Sequence, residues 1–561
     1  MSATAQPRPA ATLIAPNLRS RVFGFGSVFG KTIRDSRRAT IAVALFIGVL
    51  LVIVAQAIAS EFSTPESRQE IGNLVTAVPP ILAGLAGRAV NVEALGGYIQ
   101  YKYGGFFPLV TALWSILALS ATLAAESRRG SMEILAAAPV TRRRIAIEKV
   151  AGHVVMLTLA MAFVFVATAA AGTFGTLPGD EIPVQAAFGF AAWLWLTALV
   201  AGSLAFALAP FVGRGSAAGI AGAVMFAGFL LNGYQTAIPE LAPFANLTWF
   251  GWTTNHLPLA GSYDWASLLL VAAVTIVFLA IGVEAFVRRD IGQTSTIPTP
   301  SLPRALKGLR GPTGRTFAEL LPTALAWGIG LGIFGLVMGA SAKSFVEQIG
   351  DSPAFTQLIN QVFPDIDLNS PGAFLQLVFI EFGLILSGLA AATLVGTWAS
   401  DETSGRTEML LATPLSRRRW LASGGSATLL GIATFVGLTM LGIGLGGATV
   451  GGDVLTPILG TLSLALYGAA LAGIGIAVAG LVRASLAGPV VALVTILTWL
   501  FDFLGPALSL PDPIQQLALS SHLGQPMIGR WDPGGIIACL VLAFGGITVG
   551  AWGIRRRDLG R

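Results

Sequence analysis

Two stretches of this chain carry the same charged pattern 275 residues apart. Glu126-Ser-Arg-Arg-Gly130-Ser-Met-Glu133-Ile-Leu-Ala-Ala-Ala-Pro139-Val-Thr-Arg142-Arg143-Arg144 aligns without gaps on Asp401-Glu-Thr-Ser-Gly405-Arg-Thr-Glu408-Met-Leu-Leu-Ala-Thr-Pro414-Leu-Ser-Arg417-Arg418-Arg419. An acidic start, a glycine, a glutamate, one apolar turn and a proline predict a short amphipathic helix stopped at the proline. In the first copy Ile134, Leu135 and Ala138 share one side and Glu133 lies on another. Orientation in a membrane needs only positive charge, which the triple arginines already supply. The repeated glycine, glutamate and proline therefore point to a surface on which a soluble partner docks.

Ionisable residues inside apolar runs form a second candidate set, because each is costly in hydrocarbon. Glu284 lies near enough to a run's end to reach water. Glu381 and Asp502 lie in the outer parts of their runs. They contact substrate or a proton, or else cap a helix or pair with Arg530 or Lys343. His153 is one turn into its run and is expected to bond a neighbouring helix. A proton relay wants several such groups in one layer, and few are available. Two apparent nucleotide motifs fail on inspection. Gly30-Lys31-Thr32 has Phe25 where a phosphate-binding loop needs glycine, with no preceding strand. Gly442-Ile-Gly-Leu-Gly-Gly447 ends an apolar run, where glycines serve close helix packing. The single Cys539 and the dispersed His153, His256 and His522 predict neither disulfide nor metal site. No catalytic residues and no cofactor are expected in this chain, which should not hydrolyse ATP by itself.

The elements that position these groups are membrane helices. The chain has 561 residues, 54% hydrophobic and 11% charged, with a mean hydropathy of +0.76. Soluble domains carry about 25% charged residues. At ~20 residues per span the apolar runs predict about twelve crossings. These lie near 40–59, 106–125, 150–171, 184–208, 216–232, 265–286, 323–341, 372–399, 421–448, 454–481, 485–504 and 534–553. With both termini inside, 29 of the 34 lysines and arginines fall on the inner side, as topogenic signals do. The net charge of +6 is thus read as topology and attraction to anionic lipid, with no nucleic-acid partner. The first run is too long and too far in for a cleaved leader.

Further repeats follow. Arg214-Gly-Ser-Ala-Ala-Gly219 pairs with Arg483-Ala-Ser-Leu-Ala-Gly488, and Arg288-Arg-Asp-Ile-Gly292 with Arg556-Arg-Asp-Leu-Gly560. The expected fold is an all-α polytopic membrane protein of two parallel six-helix repeats, N-in and C-in. Its parts are a tail and amphipathic elbow helix (1–39), a first half (40–288), a linker (289–315) and a second half (316–561). Parallel repeats related by an axis along the membrane normal are a transporter plan.

The duplicated loop, Glu408-Met-Leu-Leu-Ala-Thr-Pro-Leu-Ser-Arg-Arg-Arg419 above all, resembles the pattern E…G-T-L-E-x-L-L-A-T-P-[VL]-S-R-R-R of ABC-2 type permeases of ATP-binding-cassette exporters. The double-length form is similar to fused permeases of actinobacterial polyketide-antibiotic exporters of the tetronasin-resistance type. The resemblance implies that each loop is a coupling helix docking on a separate ATP-binding cassette subunit, two copies in all, which bind the ATP and magnesium. It implies an interfacial elbow helix at Phe23–Arg38, a second around Arg315–Leu321, and re-entrant helices within 233–264 and 505–533, where Pro258/Pro526 and Asp264/Asp532 pair. The long outer segments containing Ile71–Leu85 and Phe345–Phe363 form a lid of amphipathic helices or stay as mobile loops.

The expected function is a permease subunit of an exporter for hydrophobic or amphipathic compounds, whether drugs, polyketide antibiotics or lipids. It sits as a multi-pass protein in the plasma (inner) membrane of a bacterium. Candidate substrate contacts are Phe46, Phe106, Phe107, Trp114, Phe226, Phe229, Glu381, Trp499 and Asp502. The alternative is a twelve-helix proton-coupled secondary antiporter.

Overall fold

A computed structural model describes residues 27–77, 84, 86–128, 141–288, 311–350, 370–403, 405–449, 453–504 and 516–557. Backbone amides in hydrocarbon must bond within their own segment, so apolar runs become helices. Among the described residues ten helices are long and apolar enough to cross a membrane. An eleventh crossing arises if Leu95–Tyr103 and Phe106–Ala121, bent by 51°, act as one span. Each of the twelve apolar runs lies on a helix, although Ala484–Trp499 is a shorter one. The contacts divide the chain into two compact units, Met1–Val75 with Leu85–Ile297 and Thr76–Gly84 with Pro298–Arg561.

The first unit contains α1 (Val28–Glu61), α2 (Pro65–Ala77), α3 (Leu95–Tyr103), α4 (Phe106–Arg128), α5 (Arg142–Ala171), α6 (Val184–Gly213), α7 (Ala217–Tyr234) and α8 (Trp265–Arg288). The elbow expected at 23–38 differs from what is found: residues 28–38 are the opening turns of α1, continuous with its apolar part. At 1.5 Å per residue this helix is about 51 Å long, more than a bilayer core needs. Its start is fixed twice. Ser27 Oγ accepts from the Gly30 amide at 3.0 Å, and Glu148 of α5 accepts from the Phe29 amide at 3.2 Å.

At the opposite end of this unit Arg68 and Asp180 form a buried ion pair, 3% and 2% exposed. The guanidinium donates to both carboxylate oxygens, at 3.1 and 2.9 Å, and to the Phe62 and Glu93 carbonyls. Asp180 also accepts from the Leu95, Thr176 and Leu177 amides. Buried charges persist only when so fully bonded. The pair joins α2, the start of α3 and the α5–α6 connection.

The second unit contains α9 (Gly311–Gly350), α10 (Ile380–Thr403), α11 (Arg406–Leu411), α12 (Arg417–Ala448), α13 (Leu455–Leu481), α14 (Ala484–Leu504) and α15 (Pro533–Gly553). The second elbow, expected at 315–321, is likewise the unbroken start of α9. Phe345, expected to open a separate outer helix, continues α9 instead and packs on Phe374 with ring centroids 5.1 Å apart. Residues 351–369 lie outside the described residues, as does most of the linker. The glycine run at 442–447 packs as expected. A Cβ on Gly442 would meet the Gly332 carbonyl, and one on Gly446 the Leu336 carbonyl. Backbones of α9 and α12 thus touch, as small residues permit between membrane helices.

The two units repeat details that composition does not reveal. The first breaks its second span between α3 and α4. The second carries a five-residue π-helical turn, Leu375–Phe379, at the matching place before α10. Each unit also builds the same turn before its last helix. Pro258–Ala260 is a 3₁₀ turn closed by Gly261 at φ 84°, with Leu257 bridging Ser262. Pro526–Ile528 is closed by Gly529 at φ 81°, with Gly524–Gln525 pairing Arg530–Trp531. Both glycines sit in the left-handed region that side chains disfavour. Gly96 lies against the Leu259 carbonyl and Gly189 against Pro258; Gly372 lies against the Met527 carbonyl and Gly460 against that of Pro526. Each turn is thus held between two glycines at equivalent positions. The re-entrant expectation for 233–264 resolves into Pro239–Leu241 running directly into Ala242–Ala245, and a separate single turn at Trp249–Trp252.

Two outcomes follow from this packing. Gly442→Val pushes two backbones apart and should cost about 1–3 kcal/mol or more, read as a lower thermal midpoint of the detergent-purified protein. His256 is buried beneath the first turn, where its Nδ1 accepts from the Asp264 amide at 3.0 Å and its Nε2 faces the Gly189 carbonyl at 3.4 Å. Burial lowers its pKa from the ordinary 6.5. The unfolded chain therefore takes the proton first, and stability held above pH 6.5 is lost as pH falls towards the folded value. The thermal midpoint should drop between pH 7.5 and 5.5, and His256→Asn, which keeps the acceptor but cannot titrate, should flatten that dependence.

Candidate coupling loop and transport residues

The second copy of the duplicated loop is described nearly throughout. α10 ends at Thr403, Gly405 enters the left-handed region at φ 72°, and α11 follows for six residues. Its last turn closes at Ala412, ahead of Pro414, as the sequence predicts. The helix is seated from below: Thr407 is buried, while Glu408 and Met409 are exposed, Met409 at 67%. Asp401 is buried and pairs with Arg406 Nε at 3.4 Å. Beneath the loop, Trp398 and Trp420 pack with centroids 5.0 Å apart.

The arginine triplets open the next helix in both copies. Thr141 and Ser416, 275 residues apart, each cap it by accepting from the amide three residues on, at 3.3 Å in both cases. Cations in a first helical turn oppose the helix dipole. Arg142, Arg143 and Arg144, and Arg417, Arg418 and Arg419, therefore stand there against local helix preference. Arg143, Arg144 and the second triplet are exposed. In the first copy Glu126 lies in the last turns of α4, but its side chain, with Gly130, Glu133 and Pro139, lies outside the described residues. Sequence reasoning missed Glu402 and Arg557, which form an ion pair, both side chains 10% exposed, at the base of the second loop. The signal was present in the repeated Arg-Arg-Asp-[Ile/Leu]-Gly segments.

The candidate substrate contacts fall into several places. In the first unit Phe46 meets Phe106 edge-on, centroids 6.3 Å apart. Phe107 is fully buried between Tyr103, at 5.5 Å, and Phe190, at 6.5 Å. Trp114 packs edge-on against His153, whose Nε2 lies 2.9 Å from Ser115 Oγ of the neighbouring α4. Phe226 and Phe229 make a separate group with Phe250. In the second unit Trp499 is buried. Glu381, in the first turn of α10, and Asp502, on α14, are half-buried and close enough for their charges to interact. Among the described residues neither carboxylate forms an ion pair, with Arg530 or otherwise, and the Lys343 side chain lies outside them. Glu284 pairs with Arg288 at 2.7 Å. Among the described residues no three His, Cys, Asp or Glu side chains gather as a metal site requires.

With this arrangement in place, comparison with known proteins is informative for both halves. Residues 26–291 match the model of the ABC-2 family transporter protein. Residues 309–555 match that of the C-terminal domain of the multidrug efflux system permease Rv1217c. The multidrug efflux system permease protein Rv1217c of Mycobacterium tuberculosis is 28% identical over 555 residues, covering 96% of each chain. Matching models in each half, the helical spans and the repeated loop lead to one conclusion: this is a multi-pass cell-membrane protein whose first half matches an ABC-2 family transporter and whose whole length is similar to a multidrug efflux permease.

Proposed function

We propose that the chain is the membrane-spanning subunit of an ATP-driven exporter for hydrophobic or amphipathic compounds. It works with two copies of a separate ATP-binding cassette subunit, which bind ATP and magnesium, and has no ATPase site of its own. The observation that carries this reading is α11, a short helix that turns Glu408 and the apolar Met409 outward while Thr407 is buried beneath it. An exposed apolar side chain beside a charge, on anchored stems, suits docking to a soluble partner. The two loops would act as levers, with ATP-dependent movement of the docked subunits biasing the helices that leave each loop. Support for the substrate class comes from the Mycobacterium tuberculosis relative, whose name is that of a multidrug efflux permease.

One observation favours a second reading. Two carboxylates near one another in apolar helices, Glu381 and Asp502, are what a proton-coupled antiporter would need. Collapsing the proton gradient at constant ATP separates the two: efflux persists in the exporter and stops in the antiporter.

The double variant Glu133→Ala, Glu408→Ala should insert normally yet lose most export per ATP hydrolysed, measured as ethidium efflux from vesicles alongside phosphate release. Unchanged export in that variant removes the coupling role from these glutamates.

A further inference from the structure

Both stems of the second loop are tied to one residue near the chain's end. Glu402, the next-to-last residue of α10, pairs with Arg557 Nη2. Arg417, the first residue of α12, donates through Nη1 to the Arg557 carbonyl at 3.0 Å. Arg557 Nη1 also reaches the Val482 carbonyl just past α13, at 3.5 Å. Arg557 itself lies four residues beyond α15. One guanidinium and its own peptide thus join the ends of α10, α12, α13 and α15 around the thirteen or so residues that carry α11. A planar guanidinium suits such a junction because its donors project in fixed directions. The charges of the Glu402–Arg557 pair are largely withdrawn from water, so losing one partner strands the other.

We infer that Arg557 is a positioning residue for energy coupling: it makes the loop bearing α11 move as one piece with α10, α12, α13 and α15. The inference rests on the docking reading of that loop and goes further by naming what connects it to the bundle. A loop held only by its peptide stems could swing when pushed. Held also by Arg557, it passes the push to four helices together. Arg406 with Asp401 fixes the helix to its own stem and cannot do this alone.

The test has two readouts. In the first, Met409→Cys in a Cys539→Ala background carries a nitroxide, with Leu441→Cys on α12 as the control. Arg557→Ala should raise label mobility at 409 and leave 441 unchanged. In the second, the chain is reconstituted with its co-purifying ATPase, and ethidium efflux per ATP hydrolysed is measured. Coupling between sites is commonly worth 5–150-fold, so the ratio should fall by roughly fivefold or more while the ATPase still co-purifies. The swap Glu402→Arg with Arg557→Glu should restore both readouts, and Glu402→Gln, which breaks the same pair, takes the place of Arg557→Ala if that variant does not fold. Equal loosening at 409 and 441, or less protein with an unchanged ratio, reduces Arg557 to a structural residue and overturns the inference. Wild-type mobility and ratio in Arg557→Ala overturn it too, while leaving the exporter reading intact. Failure of any ATPase to co-purify with the unaltered chain instead removes the reading on which it rests.

Discussion

Hydrocarbon offers a peptide group no hydrogen-bond partner, and that constraint decides where this chain keeps to helix. Among the described residues ten long helices satisfy it by themselves. Irregular backbone collects at helix ends, and there it is secured by polar groups used almost to capacity. Arg68 and Asp180 serve three segments, His256 links the Asp264 amide to α6, and Gln376 accepts from the Met527 amide at 3.0 Å. The second span of each unit departs from regular helix, and both departures stand at equivalent positions. π-turns are uncommon and often mark functional places. The one here, Leu375–Phe379, ends two residues before Glu381.

The halves share a frame and differ in the chemistry placed upon it. Glu381 occupies the position held by Phe106 in the first half, with Phe382 matching Phe107 beside it. His153 and the buried Lys149 of α5 correspond by the same offset to Thr428 and Gly424 of α12. The α9–α12 crossing is lined with glycine, whereas Ala167 and Ala171 replace Gly442 and Gly446 in the first half.

Local features were legible and distant ones were not. Apolar runs, the proline-stopped loop helix and the packing glycines at 442–447 are written in neighbouring residues, so periodicity exposes them. The Arg68–Asp180 pair spans 112 positions and leaves no local trace. The elbows failed for a different reason. A basic, amphipathic stretch has the same pattern whether it lies along the interface or begins a straight span, and only the absence of a break at 38–40 separates them. The paired prolines and aspartates before the last span of each half did signal a shared structure. What they could not show was the glycine on either side of each turn, since those four residues come from other helices.

The turn clasped by glycines has a consequence for how the protein is made. Gly96, Gly189 and residues 257–262 all precede Arg288, so the first clasp needs nothing from the second half. Synthesis proceeds from the N-terminus at about 5–20 residues per second, and domains generally fold as units. The first bundle can therefore lock this turn while α9 is still inside the ribosome. Gly372, Gly460 and residues 524–531 repeat the operation for the second. Assembly becomes two successive closures of the same kind, each finished with residues already in the membrane.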